Sequence, residues 1–111
     1  MPRRAELIQG TLDMLVLKVL QLGDMHGWGI TERIERMSEE VLQVGQGSLY
    51  PALYRLESQG VIRSYWGVTE NNRRARYYAI TAKGKPRFAQ ERADWQRLAS
   101  AIELVLTATT A

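Results

Sequence analysis

The stretch from Gly47 to Gly60 constrains the fold of this chain more than any other part of the sequence. When it is wound at about 100° per residue, Leu49, Leu53 and Leu56 fall on one side of a helix. This spacing is typical of a helix that packs one face against a core. The stretch therefore predicts a short amphipathic helix.

The ends of this helix are marked by residues with special backbone preferences. Gly47 or Ser48 can cap its start, and Gly60 can adopt the left-handed conformation that ends it. Pro51 fits near the start, because a proline has no N–H to donate there. We therefore expect Pro51 in the first turn.

The opposite face of the predicted helix carries no acidic residue. It presents Pro51, Tyr54, Arg55 and Ser58, and Glu57 lies on its flank. Hydroxyl groups, a ring and a guanidinium group suit hydrogen bonds to phosphates and base edges. The same pattern taken alone also fits an ordinary surface helix.

The distribution of charge indicates a polyanionic partner. The chain has 111 residues and a net charge of +3, which predict one folded domain. The segment 71–90 holds six of the 15 basic residues and none of the 12 acidic residues. Such a local basic patch favours binding to nucleic acid.

Two helices are predicted before the Gly47–Gly60 stretch. The first runs from Gln9 or Thr11 to Leu22, and the second from about Gly29 to Met37. After Gly60 the pattern changes to the alternation of β-strands.

The alternating region predicts a β-hairpin. Its strands are Val61–Val68 and Arg76–Thr81, joined by the polar turn Thr69–Ala75 with Asn71 and Asn72 at the tip. The hairpin therefore has a long basic tip.

The end of the chain predicts a long helix with an apolar seam. Thr81 can cap it, while Gly84 and Pro86 weaken its first turns, so Pro86 either moves the start towards Lys85 or adds a kink. The seam steps along the helix with heptad spacing. Its members are Phe88, Trp95, Leu98, Ile102 and Val105.

This seam predicts a homodimer. A helix that projects beyond a small domain needs a partner for its apolar stripe, and the second apolar side of the first helix is available. That side carries Leu7, Met14 and Leu17. We expect these residues and the seam to form the dimer interface.

Three helices followed by a hairpin predict a winged helix-turn-helix, a mainly α fold with a small β-hairpin (α+β). We expect a DNA-binding domain over residues 1–81, a dimerisation helix over 82–106 and a frayed tail over 107–111. The third helix would enter the major groove and the hairpin tip would reach the backbone or minor groove. The candidate DNA-contacting residues are Ser48, Tyr50, Tyr54, Arg55, Asn72, Arg73, Arg74 and Arg76.

Other classes of function have little support. There is no cysteine, and His26 is the only histidine, so a metal site, a catalytic triad and enzymatic activity are not expected. For His26 we expect a role in a turn or as a cap, with a phosphate contact as the alternative. The longest apolar run, Met14–Leu17, cannot span a membrane.

Four segments together resemble the PadR-like bacterial transcriptional regulators: Thr11–Leu17, Met25–Ile30, Gly47–Glu57 and Asn71–Gly84. The likeness runs from about Leu7 to Leu106, and the length resembles the short subgroup with one C-terminal helix. The resemblance implies a dimeric winged-helix repressor.

The resemblance also implies roles for particular residues. Ser48, Tyr50 and Pro51 would contact an operator, followed by Tyr54 and Arg55, and the wing arginines Arg73, Arg74 and Arg76 would contact the backbone. Some members stack aromatic effectors on a tryptophan between their last helices, which here would involve Trp95 and Phe88. Asp24, where the family often has proline, and Pro86 depart from the pattern.

The sequence therefore predicts a cytoplasmic, nucleoid-associated regulator of transcription. It would bind a pseudo-palindromic site in double-stranded DNA as a homodimer, without a cofactor, metal or membrane, and a small aromatic effector is a further candidate partner. The alternative is a winged-helix module that binds protein or RNA.

Overall fold

The computed structural model describes residues 5–6 and 9–111. In chain order the elements are β1 Ala5–Glu6, α1 Gln9–Leu22, β2 Met25–His26, α2 Gly27–Met37, β3 Leu42–Gln43, α3 Gln46–Ser58, β4 Ile62–Val68, β5 Arg74–Ile80 and α4 Gly84–Leu106. The predicted α+β class and the order of three helices, hairpin and long helix are confirmed. No helix of the described residues is long and apolar enough to cross a membrane.

The hairpin is part of a three-stranded antiparallel sheet with the order β2-β5-β4. The pairing of β4 with β5 runs from Ile62 opposite Ile80 to Val68 opposite Arg74. The two residues of β2 pair with Tyr77 and Tyr78 on the other edge of β5. This third strand was not predicted, because two residues are too few to show an alternating pattern.

The core is built around α1. Leu49, Leu53 and Leu56 of α3 are each no more than 1% exposed, which confirms the predicted core face. They join buried residues from α1, α2, β4, β5 and α4 in one cluster. Since α1 contacts α2, α3, α4 and β5, it is the central helix of the fold.

Two residues that were expected at a dimer interface lie in this core instead. Leu17 is fully buried and Phe88 is 8% exposed, so the prediction that they face a second subunit is wrong. The reason is that the second side of α1 packs against α4 of the same chain. Met14 is half-buried against the core, and Leu7 lies outside the described residues.

The start of α3 differs from the prediction. Gly45 is the N-cap and the helix begins at Gln46, so neither Gly47 nor Ser48 caps it. Pro51 is consequently beyond the first turn, and the carbonyl of the exposed Gly47 lacks the donor that a helix would supply there. At the other end Gly60 has φ +75°, which confirms its left-handed conformation.

The side chains of His26 and Thr81 accept hydrogen bonds from backbone N–H groups in the first turns of the helices that follow them. The Gly29 N–H donates to His26 Nδ1 over 3.0 Å, so the expected capping role of His26 is confirmed, and α2 begins at Gly27. The Gly84 N–H donates to Thr81 Oγ1 over 3.2 Å. The last helix starts at Gly84 with Lys83 as its N-cap, between the predicted cap Thr81 and Lys85, towards which Pro86 was expected to move the start. Pro86 therefore lies in the first turn.

Gly84 is a close contact between α4 and the sheet, and we predict that Gly84→Ala destabilises the fold. A Cβ at this position would collide with the carbonyl oxygen of Val61 and with the Ile80 side chain. We expect the free energy of unfolding to fall by about 1–3 kcal/mol, as in other overpacked sites. Urea unfolding at fixed protein concentration measures this change.

Gly10→Ala is the matched control, because a Cβ on this exposed helical glycine meets no described atom within 4 Å. It should leave stability unchanged or raise it by up to about 1 kcal/mol, since alanine favours a helix more than glycine does. Equal stability of the two variants would contradict the close contact.

Candidate nucleic-acid interface

The outward face of α3 is exposed and polar, as the sequence predicted. Ser48 and Pro51 are exposed, and the Tyr54 side chain is 75% exposed. Tyr50 is 49% exposed and its ring lies over the start of α2. A Cβ added to Gly27 would be 2.7 Å from the Tyr50 hydroxyl, so Gly27 leaves the space that the ring occupies.

Arg55, which the sequence placed on this face, is paired with a carboxylate of α1. Its Nη2 lies 2.9 Å from the Oδ1 of Asp13, and the two side chains are 30% and 12% exposed. Burial raises the pKa of Asp13 above its ordinary value, and the charge and hydrogen bond of Arg55 only partly offset that effect. Arg55 therefore connects α3 to α1.

One face of the hairpin lies on the same side as α3 and carries a cluster of one ring and two guanidinium groups. Arg76 pairs with Trp66 across the sheet, and Arg74 lies two pairs further towards the tip, on the same face. The Arg74 and Arg76 guanidinium carbons lie 4.4 Å and 5.9 Å from the centroid of the Trp66 ring. Since Trp66 is 57% exposed, this cluster presents both an aromatic surface and positive charge to solvent.

Sequence reasoning missed Trp66 as a member of the interface. The alternation in β4 assigns it the same face as Ser64, but only the register with β5 places it beside the arginines. A tryptophan in a predicted strand is more often a core residue, and the composition of β4 alone gave no reason to choose the exposed face.

A chain of polar contacts joins the hairpin to α3. The Ser64 hydroxyl donates to Glu57 Oε2 over 2.6 Å, and Arg76 Nε donates to Ser64 Oγ over 2.9 Å. The Arg76 guanidinium also lies 3.9 Å from Glu57 Oε2. Glu57 on the flank of α3 thus fixes the side chain of Arg76. It also holds the hairpin of β4 and β5, which is the wing of this fold, against the helix.

The tip of the hairpin is a tight turn from Thr69 to Arg73. The Asn72 N–H donates to the Thr69 carbonyl over 2.9 Å, and the Arg73 N–H donates to Thr69 Oγ1 over 3.2 Å. Asn72 has φ +59°, which asparagine tolerates better than most residues. The predicted tip is confirmed, but Arg74 belongs to β5, so the basic residues extend from the turn along the strand.

The other face of the hairpin is an aromatic stack that packs towards β2. The rings of Tyr65 and Tyr77 are stacked at 5.8 Å, and His26 meets Tyr77 edge-on at 5.4 Å. The Tyr65 hydroxyl donates to Asp24 Oδ2 over 2.6 Å. Asp24 therefore stabilises this face of the wing through a hydrogen bond.

The seam of α4 is largely exposed. Of its expected members only Phe88 is buried, whereas Trp95, Leu98, Ile102 and Val105 are between 49% and 75% exposed. Leu104 and Leu106 are more than 70% exposed as well. Of the two rings expected at an effector site, Trp95 is therefore exposed, whereas Phe88 is buried in the core.

Among the described residues, no group of three or more histidine, cysteine, aspartate or glutamate side chains is arranged to hold a metal ion. Asp13 and Glu57 at the candidate interface take part in ion pairs and hydrogen bonds between elements.

Comparison with known proteins identifies the fold and the class. The sequence model of the transcriptional regulator PadR-like family matches residues 16–90. A transcriptional regulator from Mycobacterium tuberculosis is 32% identical over 76 residues, which cover 68% of this chain and 67% of that protein.

Two solved structures are similar along most of their length. A transcriptional regulator from Clostridium thermocellum superposes with a TM-score of 0.79 at 33% identity and covers 86% of this chain and 93% of its own. A PadR family transcription regulator from Clostridium difficile has a TM-score of 0.73 at 27% identity and covers 86% and 97%.

The bond between Tyr65 and Asp24 leads to a titration prediction. The hydrogen bond to the carboxylate, with smaller effects of burial and of the Asp24 charge, raises the pKa of Tyr65. We expect Asp24→Asn to lower this pKa towards the ordinary value, because the phenol loses an anionic acceptor that favours its protonated form. An NMR titration of isotope-labelled tyrosine rings, assigned with Tyr65→Phe, measures the shift.

Asp94→Asn is the control, since it removes an exposed carboxylate that is paired with Arg97 on α4. It should leave the Tyr65 titration unchanged. A Tyr65 pKa that is the same in the wild-type protein and Asp24→Asn would show that the bond is absent in solution.

Proposed function

The chain belongs to the PadR-like family of transcriptional regulators, and from this premise we propose that it is a homodimeric repressor that binds a pseudo-palindromic operator in double-stranded DNA. The observation that carries the proposal is the joint surface of α3 and the wing. Tyr54 and Ser48 on the helix and the Trp66–Arg74 pair on the hairpin are exposed, and the Glu57–Ser64–Arg76 contacts connect the two elements.

In this proposal the two elements have different tasks. The exposed face of α3 enters the major groove, where the hydroxyl groups of Ser48 and Tyr54 can bond base edges, with Tyr50 and Pro51 in contact beside them. Asn72, Arg73 and Arg74 bind the phosphates or the minor groove next to it. Arg76, which is already held by Glu57, contributes charge close to α3.

The dimer in the proposal is formed by the second half of α4. Only Gly84 and Phe88 are buried among the residues of this helix, which is 23 residues and therefore about 35 Å long. A second copy packed along Trp95, Leu98 and Ile102 would cover the exposed seam, with Val105 at its end and Met14 on its border. An aromatic effector would stack on Trp95 in this seam.

In this proposal, residues 1–81 form the DNA-binding domain, and residues 82–106 contain the dimerisation helix. Two copies of α3 would then meet successive major grooves about 34 Å apart, and occupation of an operator that overlaps a promoter would repress transcription.

We predict that Arg73→Ala with Arg74→Ala weakens binding to all duplexes alike, whereas Tyr54→Ala reduces the preference for the operator over random DNA. Phosphate contacts carry no sequence information, while base-edge contacts do. Gel-shift titrations use fragments of the promoter upstream of the protein's own gene and a scrambled duplex, each at two salt concentrations. The slope of log affinity against log salt should fall by about 0.9 for each phosphate contact that is lost.

Arg92→Ala with Arg97→Ala, which removes two exposed arginines of α4, is the control for the change of net charge. Weak and equal binding of the wild-type protein to every fragment would refute sequence-specific recognition, and no binding at low salt would refute DNA binding. A wing variant that changed only the preference between sequences would reverse the assigned tasks.

We also predict that Leu98→Glu with Ile102→Glu produces monomers. Two carboxylates in an apolar seam cannot be desolvated without a partner, so the paired helices separate. Multi-angle light scattering should show half the mass of the wild-type protein, with the helical circular dichroism of the domain retained.

Gln96→Glu with Ser100→Glu is the matched control. It adds the same two charges to α4, but on the side of the helix away from the seam. This variant should remain a dimer, and an unchanged mass of the Leu98 and Ile102 variant would place the interface elsewhere.

A further inference from the structure

A half-buried ion pair connects the proposed recognition helix to the centre of the fold. Arg55 of α3 and Asp13 of α1 are 42 positions apart in sequence, and their side chains meet at 2.9 Å. The same helix offers exposed hydroxyl groups to solvent on its outward face. Arg55 therefore lies on α3 but points its charge into the protein.

The apolar contacts between α3 and α1 are not directional. Leu49, Leu53 and Leu56 are buried in the shared core, and their contribution depends on the apolar area removed from water. A small rotation or slide of α3 would preserve much of that area. A charge-assisted hydrogen bond depends steeply on distance and angle, so the Arg55–Asp13 contact restricts the rotation of the helix.

The energetics of the Arg55–Asp13 pair suit it better to positioning α3 than to stabilising the fold. Burial is the largest effect on the pKa of Asp13, and the pKa stays above its ordinary value although the charge and hydrogen bond of Arg55 lower it. The carboxylate is thus less favourable in the folded protein than in water, even with its partner in place. A buried pair of this kind contributes little net stability, but it can define one arrangement of the elements that it joins.

Two charged residues of α4 also act on Asp13. Arg87 and Glu91 of α4 form an ion pair at 2.7 Å, and both act on Asp13: Arg87 lowers its pKa and Glu91 raises it. The second oxygen of Glu91 is buried and has no hydrogen-bond partner among the described residues. Asp13 is therefore the point of α1 at which charges from α3 and α4 meet.

We propose that Arg55 is a positioning residue, which Asp13 holds so that α3 presents Tyr54 and Ser48 to the base edges, and that Arg55 does not itself contact DNA. This inference rests on the proposed DNA-binding function. Glu57 has the corresponding task on the other flank of α3, where it holds the wing through Ser64 and Arg76. The helix is then fixed on one side to the core and on the other to the hairpin.

A double-mutant cycle tests the proposal with the variants Asp13→Asn, Arg55→Gln and their combination. The probe is the duplex that the wild-type protein enriches from a random-sequence pool, and a scrambled duplex of the same composition measures non-specific binding. Each single variant should bind the enriched duplex about tenfold more weakly, and the combination no more weakly than the worse single variant. Binding to the scrambled duplex and the salt slope should remain as in the wild-type protein.

A direct contact between Arg55 and a phosphate would give a different result. Arg55→Gln would then weaken binding to both duplexes and reduce the salt slope by about 0.9, while Asp13→Asn would not. That result would overturn the proposal, and so would unchanged binding of all three variants to the enriched duplex. A wild-type protein that enriches no duplex would instead refute the proposed function itself.

Two further variants separate an effect on the position of α3 from a loss of the fold. Arg55→Lys and Asp13→Glu keep both charges but change the length and geometry of the contact, so they should fold and still lose preference for the enriched duplex. Full preference in both would overturn the proposal. As a control, Asp94→Asn with Arg97→Gln removes an ion pair of the same chemistry from the exposed surface of α4 and should leave binding unchanged.

Discussion

The burial of one broad side of α1 against four other elements is the constraint on which the rest of the structure depends. Leu17 and Val16 point about 100° apart and are both fully buried, since α2, α3, α4 and β5 all pack against α1, whereas Lys18, Gln21 and Leu22 are exposed. A helix with so broad an apolar arc is stable in water only when neighbours cover that arc. The orientation of α3 and of α4 is consequently defined by the same helix, and a displacement of one must be accommodated at the surface that also supports the other.

Most of the fold follows from the sequence because its patterns are local. The spacing of Leu49, Leu53 and Leu56 identifies the core face of α3, and Gly60 marks its end through its backbone preference. The errors occur where several neighbours compete. Leu17 and Phe88 were assigned to a second subunit because periodicity shows that a residue is apolar, but it does not show which surface covers it. The start of α3 was misplaced because Gly45, Gly47 and Ser48 are all acceptable caps.

The candidate site was predictable in outline only. Its exposed tyrosine and the arginines of the wing were identified from the polarity of one helix face and from the run of charge after Asn71. The partners of these residues were not, since Asp13, Glu57 and Trp66 reach them through tertiary packing or strand register. Arg55 illustrates the difficulty: its helical position alone suggests the outward face, but its long side chain bends back to a carboxylate on another helix.

The acidic residues at this basic surface have a physical role that net charge conceals. Asp13 and Glu57 each bind an arginine, and in doing so they hold α3 against the core and the wing against α3. The remaining arginines near the tip, Arg73 and Arg74, have no such carboxylate among the ion pairs of the described residues, and Arg74 instead lies over Trp66. Positive charge is thus neutralised where elements must be aligned and left exposed where a phosphate can approach. In the proposed function, a surface built in this way would separate attraction for any polyanion from alignment of the helix that reads bases, because different arginines would carry the two tasks.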